Sequence, residues 1–292
     1  MQFFQIPDNL IEFFRYHPRY LGNNLESIKT RDLKPPHQKF ISVVTTCMNR
    51  KEDLARTLPR NLEDNRGYRN AEFIVLDYNS RDGVCQWLAS NMQEHMESGR
   101  LKVYRCTDSE YFQPNHSRNV SFKLAKGEIV ANVDADNIMH ASYLKRINQC
   151  ATIAKEKILI VAEDFLRKDS SRLKLRGRFA LYKKDIEMLR GFDEKLDDGF
   201  SHDDINFVFR AMMAGFKLVR YEKEYNWDRA GTPDDDRVRY VRNPNYKEMQ
   251  MVNRELTRLT LQRGHLSANK ESWGEMKNVT MLLPNGENRN SI

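Results

Sequence analysis

The chain has 292 residues, 40% hydrophobic and 30% charged, with a formal net charge of +7. That length suits one large α/β domain or two small ones, and the composition is that of a soluble globular protein. No apolar run approaches the ~20 residues needed to cross a bilayer, which argues against integral membrane association. Met1 to Asp8 lack the basic stretch and apolar core of a secretory leader. The positive charge leaves open a polyanionic partner, a peripheral contact with an acidic membrane face, or a phosphorylated ligand. Cys47, Cys85, Cys106 and Cys150 are widely spaced and form no Cys-x-x-Cys pair. Reduced, structural thiols in a cytoplasmic protein are the expectation.

Residues 1–39 read as an N-terminal extension. Asp8 is placed to cap a short helix carrying Leu10, Ile11, Phe13 and Phe14, and Pro18, Pro35 and Pro36 then break the chain. Packing on the back of the domain is the simpler role for this arm; docking or covering an acceptor is the other.

From Phe40 strands and helices alternate. Phe40-Ile-Ser-Val-Val-Thr-Thr-Cys47 is a short apolar run rich in β-branched residues, as in a strand buried on both faces. Asn49 and Glu52 have capping-box spacing for a following helix, with Leu54, Leu58 and Leu62 inward and Pro59 as a kink. Glu72 to Asp77 forms a second strand, followed by a helix from about Val84 to Met96. Leu101 to Cys106 forms a third. Ser117 to Lys126 reads as a helix closed by Gly127.

The next strand ends in Asp134-Ala-Asp136. Residues i and i+2 of a strand point to the same side, so the two carboxylates lean together. They repel unless a cation lies between them, and a hard divalent ion with oxygen ligands meets that need. A solvated acidic turn is the alternative reading.

Further on, Tyr143 to Lys155 reads as a packing helix and Ile158 to Ala162 as a strand. Arg172 to Arg178 is basic, either a phosphate contact or a solvated edge. Asp203 and Asp204 open a helix that buries Phe207, Val208 and Met212. The pair either compensates the helix N-terminus or presents a general base. Beyond residue 230, a helix from Asn245 to about Gln262 is expected to turn Met249, Val252, Leu256, Leu259 and Thr260 inward. Its basic side holds Arg237, Arg239, Arg242, Arg254, Arg258 and Arg263, and the final stretch from Leu283 reads as mobile.

Strands joined by helices imply a mostly parallel, doubly wound sheet, with ligands beyond the carboxyl ends of the strands. No glycine-rich phosphate loop follows the first strand. A nucleotide bound here therefore needs a metal rather than a helix N-terminus to neutralise its phosphates.

Together these motifs, from Phe40 to Arg229, resemble the inverting, nucleotide-sugar-dependent glycosyltransferases of the GT-A fold, in particular family two. The resemblance implies an α/β, Rossmann-like sheet flanked by helices, with helical extensions at both ends. Residues 40–230 would form the catalytic domain, with a nucleotide-sugar half (40–137) and an acceptor half (138–230), followed by a C-terminal extension (231–292). It implies donor contacts from Thr45, Thr46, Asn49 and Arg50, a uracil contact from Asp77, and an Arg118 close to the sugar nucleotide through the Ser117-Arg-Asn119 motif. Asp134 would meet ribose or sugar and Asp136 the metal, Mn²⁺ or Mg²⁺, with Asp134 beside it. Gly199-Phe-Ser-His-Asp-Asp204 is similar to the Gly-Trp-Gly-x-Glu-Asp region of galactosyltransferase-like enzymes, which makes Asp204 the catalytic base and Asp203 the acid before it. Two departures stand out: the usual Glu-Asp is Asp203-Asp204, and the residue after Trp227 is Asp228 where the family often has a metal-binding His. Asp228 is then the substitute ligand, with His202 and His140 as nearby alternatives.

The implied activity is metal-dependent, inverting transfer from a nucleotide-diphosphate donor, first of all a UDP-sugar, to a hydroxyl of a glycan, lipid-linked or small-molecule acceptor. The net charge and the arginine-rich C-terminal segment motivate a second reading, a transferase acting on modified bases in nucleic acid. A third, a non-catalytic sugar-nucleotide-binding protein, is disfavoured by the joint presence of Asp77, Asp134, Asp136 and Asp204.

Overall fold

The computed structural model describes residues 25–27, 35, 37–153, 156–161, 177–220, 238–270 and 272–290. Its strands are β1 (Leu25–Ser27), β2 (Ile41–Cys47), β3 (Ala71–Tyr78), β4 (Leu101–Cys106), β5 (Ile129–Val133), β6 (Ile158–Val161), β7 (Arg178–Tyr182), β8 (Lys217–Arg220), β9 (Val279–Leu282) and β10 (Asn288–Asn290). Its α-helices are α1 (Lys51–Asp64), α2 (Val84–Asn91), α3 (Gln93–Glu97), α4 (Pro114–Leu124), α5 (Tyr143–Ile153), α6 (Lys183–Leu189), α7 (Asp203–Met213) and α8 (Tyr246–Gln262).

All ten strands join one sheet in the order β1-β8-β6-β7-β5-β2-β3-β4-β9-β10. The block β5-β2-β3-β4 is parallel, while β7 runs antiparallel to both β5 and β6. Alternation along the central strands feeds two separate cores. Ile41, Val43, Phe73, Val75 and Ala131 face Leu54, Leu58 and Leu62 of α1 together with residues of α2, α3 and α5. Val44, Ile74, Leu76 and Val130 face the core built from α4, α6, α7 and Leu261 of α8. Helices on both faces explain why β2, β3 and β5 are apolar in nearly every position.

Several local expectations change. The helix after β2 begins at Lys51 with no side-chain cap. Asn49 instead sits in left-handed backbone (φ 54°), and its Oδ1 accepts the Arg81 N–H. That bond across to the β3 turn takes the oxygen that a capping box would need. The expected Val84–Met96 helix is two helices, α2 and α3, meeting at Met92. The helix expected from Ser117 starts earlier, at Pro114, whose missing N–H costs nothing in a first turn. Gly127 does not close it, since Ala125 is the cap. A β-carbon at Gly127 would lie 2.5 Å from the Ser42 backbone nitrogen, so the residue is small because β2 passes against it.

The C-terminal segment is more than a helix and a tail. β9 pairs antiparallel with β4, and β10 closes a hairpin on β9. The buried stripe of α8 is Met249, Asn253, Thr257 and Leu261. This i, i+4 set leaves Val252 exposed, because Asn253 is drawn inward to donate to the Leu196 and Ser201 carbonyls. The capping helix proposed at Asp8, most of Arg172–Arg178 and the Trp227-Asp228 pair lie outside the described residues.

Arg210 of α7 is 0% exposed. It donates to the carbonyls of Leu189, Leu266 and Gly191 and to Asn206 Oδ1, all within 3.1 Å. Burial pulls its pKa down to about 10, against the opposing pull of Asp193. The side chain thus ties α7 to the turn after α6 and to the chain beyond α8. Arg210→Met keeps the bulk but strands the buried Gly191 carbonyl and leaves the Leu189 carbonyl only the Ala268 N–H, so unfolding stability should fall by about 2 kcal/mol. Urea denaturation checks this; a loss below about 1 kcal/mol would mean water takes over the carbonyls.

Candidate active site

A cleft of about 690 Å³, its open mouth included, lies at the carboxyl ends of the parallel strands. The end of β2 contributes Thr46, Cys47, Met48 and Arg50 to its lining; the approach to and first turns of α4 give Phe112, Pro114 and Arg118. Asp134, Ala135 and Asp136 follow β5, and Phe200 and Tyr240 complete the wall.

The acidic loop after β5 is clamped through its backbone. Thr45 Oγ1 donates to the Val133 carbonyl at 2.8 Å, and Thr57 Oγ1 donates to the Ala135 carbonyl at 2.7 Å. Asn61 donates from Nδ2 to the Asn137 carbonyl and accepts the Met139 N–H on its Oδ1. On the other side the Asp134 N–H donates to the Gly177 carbonyl at 3.0 Å. Asn132 Nδ2 donates to Asp134 Oδ1, also at 3.0 Å. Gly177 has φ +67°, and a β-carbon there would fall 2.0 Å from Asp134 Oδ2. With its backbone satisfied on both sides, this loop holds its carboxylates in place with little freedom to reorganise.

The cleft's charges are interlocked. Arg118 is 7% exposed; its Nη1 donates to Asp203 Oδ2 at 2.7 Å and its Nη2 lies 3.6 Å from Asp134 Oδ1. Its guanidinium also covers the Phe192 ring at 5.2 Å, and that ring stacks on Phe207 of α7 at 4.4 Å. Burial disfavours the charged form, but Asp134, Asp203 and Asp204 together outweigh it and raise the pKa above the ordinary arginine value. The buried Arg118 Nε has no hydrogen-bond partner among the described residues. Arg50 donates from Nε to Asp53 Oδ2 at 2.5 Å and brings Nη2 within 3.8 Å of Asp136 Oδ2. Asp136 is 4% exposed, and Asn137 Nδ2 reaches its Oδ1 at 3.3 Å.

Of the residues singled out in the sequence, Thr46, Arg50, Arg118, Asp134 and Asp136 line this cleft. Asp203 is joined to it through Arg118, and half-buried Asp204 is near enough for its charge to act on that guanidinium. Thr45 faces the β5 carbonyl rather than open space. Asn49 shapes the turn: its N–H donates to Ser80 Oγ. Asp77 is 0% exposed and does not line the cleft. Its oxygens accept the Ser80 N–H and the Cys85 thiol, with Arg105 Nε at 3.6 Å. A carboxylate used in this way fixes the turn after β3. His140 caps its own turn by accepting the Ser142 N–H, and His202 precedes α7 in left-handed backbone.

Sequence reasoning missed Thr57 and Asn61 as clamps, and Phe112, Phe200 and Tyr240 as wall. Thr57, Asn61 and Asn65 recur every fourth residue beside the buried leucines of α1; polar groups on a buried face signal hydrogen bonds to something specific. Tyr240 had no such signal.

Among the described residues no group of three or more His, Cys, Asp or Glu surrounds one point. Asp134 and Asp136 still offer oxygen ligands in the same cleft. A small hard dication that keeps several waters and takes phosphate oxygens from its substrate needs only one or two carboxylates, so this donor set fits Mn²⁺ or Mg²⁺.

Known structures share the architecture. A mannosyltransferase from Pyrobaculum calidifontis, solved with GDP-Man and Mn²⁺, superposes with a TM-score of 0.51 at 16% identity, covering 73% of this chain and 64% of its own. TarS from S. aureus gives a TM-score of 0.56 at 16% identity over 78% of this chain and 40% of its own. Its 1-349 fragment in complex with UDP gives 0.51 at 17% identity over 64% and 59%. The chain thus spans between 40% and 64% of these neighbours' lengths, and at such identities the likeness establishes the GT-A fold alone. No curated protein matches the sequence. Residues 42–214, more than half of the chain, match the family described as Glycosyl transferase family 2. On that match and that fold, the chain belongs to glycosyl transferase family 2.

Proposed function

We propose that this chain is a metal-dependent, inverting glycosyltransferase that moves a sugar from a nucleotide diphosphate, first of all a UDP-sugar, to an acceptor hydroxyl. The observation that carries the reading is the Arg118 guanidinium, which reaches both Asp134 after β5 and Asp203 at the head of α7. A donor-side carboxylate and an acceptor-side carboxylate are thereby held by one buried cation.

Asp136, with Asp134 beside it, would hold a Mn²⁺ or Mg²⁺ that offsets charge on the departing diphosphate. Arg50 and Arg118 flank the same carboxylates and orient them. In the transfer the bond from the anomeric carbon to the phosphate oxygen breaks, and its electron pair leaves with the nucleotide. The acceptor oxygen attacks the opposite face of that carbon, and its proton passes to Asp204 as general base. Charge at the anomeric carbon develops as in glycoside hydrolysis. Asp203, bonded to Arg118, serves to position this end of α7. Carboxylates at positions 203 and 204 are also favoured electrostatically by the helix N-terminus.

Three outcomes follow. Asp204→Asn should lower transfer by about 10²-fold or more with nucleotide affinity retained; near-normal turnover would remove Asp204 as the base. Asp136→Ala should abolish the Mn²⁺-dependent part of UDP binding in calorimetry, while an undiminished Mn²⁺ effect would place the metal elsewhere. Gly177→Ala should displace the Asp134 carboxylate and weaken UDP–Mn²⁺ binding by about tenfold, roughly 1.4 kcal/mol, with the fold intact by circular dichroism. Unchanged binding would show that Asp134 is not a donor-site ligand.

A further inference from the structure

Besides its carboxylates and guanidinia, the cleft is lined by three half-buried aromatic rings, Phe112, Phe200 and Tyr240. Tyr240 lies beyond residue 214, where the family match ends. Its carbonyl accepts the Phe112 N–H at 2.7 Å, and the Asn243 N–H three residues on donates to the Asp198 carbonyl at 2.7 Å. The segment around Tyr240 therefore fastens together the two loops that carry the other rings. Outside it, Arg239 covers the Tyr240 ring at 5.7 Å and Arg242 covers the exposed Tyr111 ring at 5.9 Å.

A diphosphate and its metal have no use for such a wall, whereas a pyranose ring does: its C–H face packs on an aromatic ring while its hydroxyls stay at the edge. Phe200 stands three residues before Asp203 and four before Asp204, so a ring held there is carried on the loop that leads to the proposed base. Nucleobases also stack on aromatic side chains, but a polyanion needs a cationic track beside them. Here Arg242 is paired with Asp198 at 3.2 Å, and the two guanidinia that line the cleft, Arg118 and Arg50, are held by Asp203 and Asp53.

We infer that Tyr240, with Phe112 and Phe200, forms the acceptor subsite, and that the acceptor is a carbohydrate whose pyranose ring lies on this wall. The inference rests on the transferase reading above and adds the substrate class and a specificity-determining residue outside the family's matched region.

The test uses the full chain, UDP with Mn²⁺ as donor-site probe, and a set of methyl and p-nitrophenyl pyranosides as acceptors under a mixture of UDP-sugars. Tyr240→Ala should raise the KM for the acceptor by about tenfold with UDP–Mn²⁺ affinity and kcat within about twofold of the parent. Tyr240→Phe, which keeps the ring, should restore the parent KM. Retained UDP–Mn²⁺ binding certifies that the altered cleft is folded. An acceptor KM that Tyr240→Ala leaves unchanged overturns the subsite alone, as does equal loss of UDP affinity, which would make the wall a base platform. Transfer to a hydroxymethylated single-stranded oligonucleotide and to none of the pyranosides overturns the carbohydrate assignment. A parent protein that binds no UDP with Mn²⁺ and transfers no sugar overturns the transferase reading, and the subsite with it.

Discussion

Arg118 is a guanidinium taken out of water, and the cleft is arranged around the carboxylates that keep it charged. A buried cation without partners is strongly unfavourable, and removing one partner of a buried pair is more damaging than never having had it. The side chain starts on α4 and meets Asp134 after β5 and Asp203 at the head of α7. Three segments far apart in the chain are thereby held in register by one charge. Phe192 lies beneath the guanidinium and stacks on Phe207, so the polar contact is seated on the core between the sheet and α7.

Much of this was legible in the residues. The apolar runs Phe40–Cys47 and Glu72–Asp77 and the run before Asp134 announced strands, found at 41–47, 71–78 and 129–133, and Asp134-Ala-Asp136 at the end of the third placed two carboxylates beyond the sheet edge. Arg118 and Asp203 stood out as separate motifs, but their bond spans 85 positions and follows only from the fold that brings the two side chains together. Asp77 shows the limit of position in sequence. It sits at a strand end as expected, yet the Ser80 N–H and the Cys85 thiol occupy its oxygens. Sequence marks a carboxylate near a site; only the neighbours decide whether it faces a ligand or the backbone.

Helix α8 lies where expected and buries Met249 as expected, but the rest of its inner face differs for a related reason. Met249, Val252, Leu256, Leu259 and Thr260 suggested its inner face, but Asn253, Thr257 and Leu261 complete the buried stripe with Met249, and Val252 is exposed. Asn253 serves the carbonyls of Leu196 and Ser201 in the stretch leading to α7. Satisfying those groups outweighs one more buried valine, and the helix rotates accordingly. The same C-terminal region adds β9 and β10 to the sheet and brings Tyr240 to the cleft. A segment with no motif of its own thus supports the loops around the site.

On the proposed reading, the carboxylates after β5 bind a nucleotide sugar through a divalent cation. Thermal stabilisation of the purified chain by a panel of nucleotide sugars, each with and without Mn²⁺, tests it most directly. A raised Tm with at least one UDP-sugar, lost when Mn²⁺ is withheld, is the expected result. Stabilisation by no nucleotide sugar, or the same stabilisation whether or not Mn²⁺ is present, would contradict it.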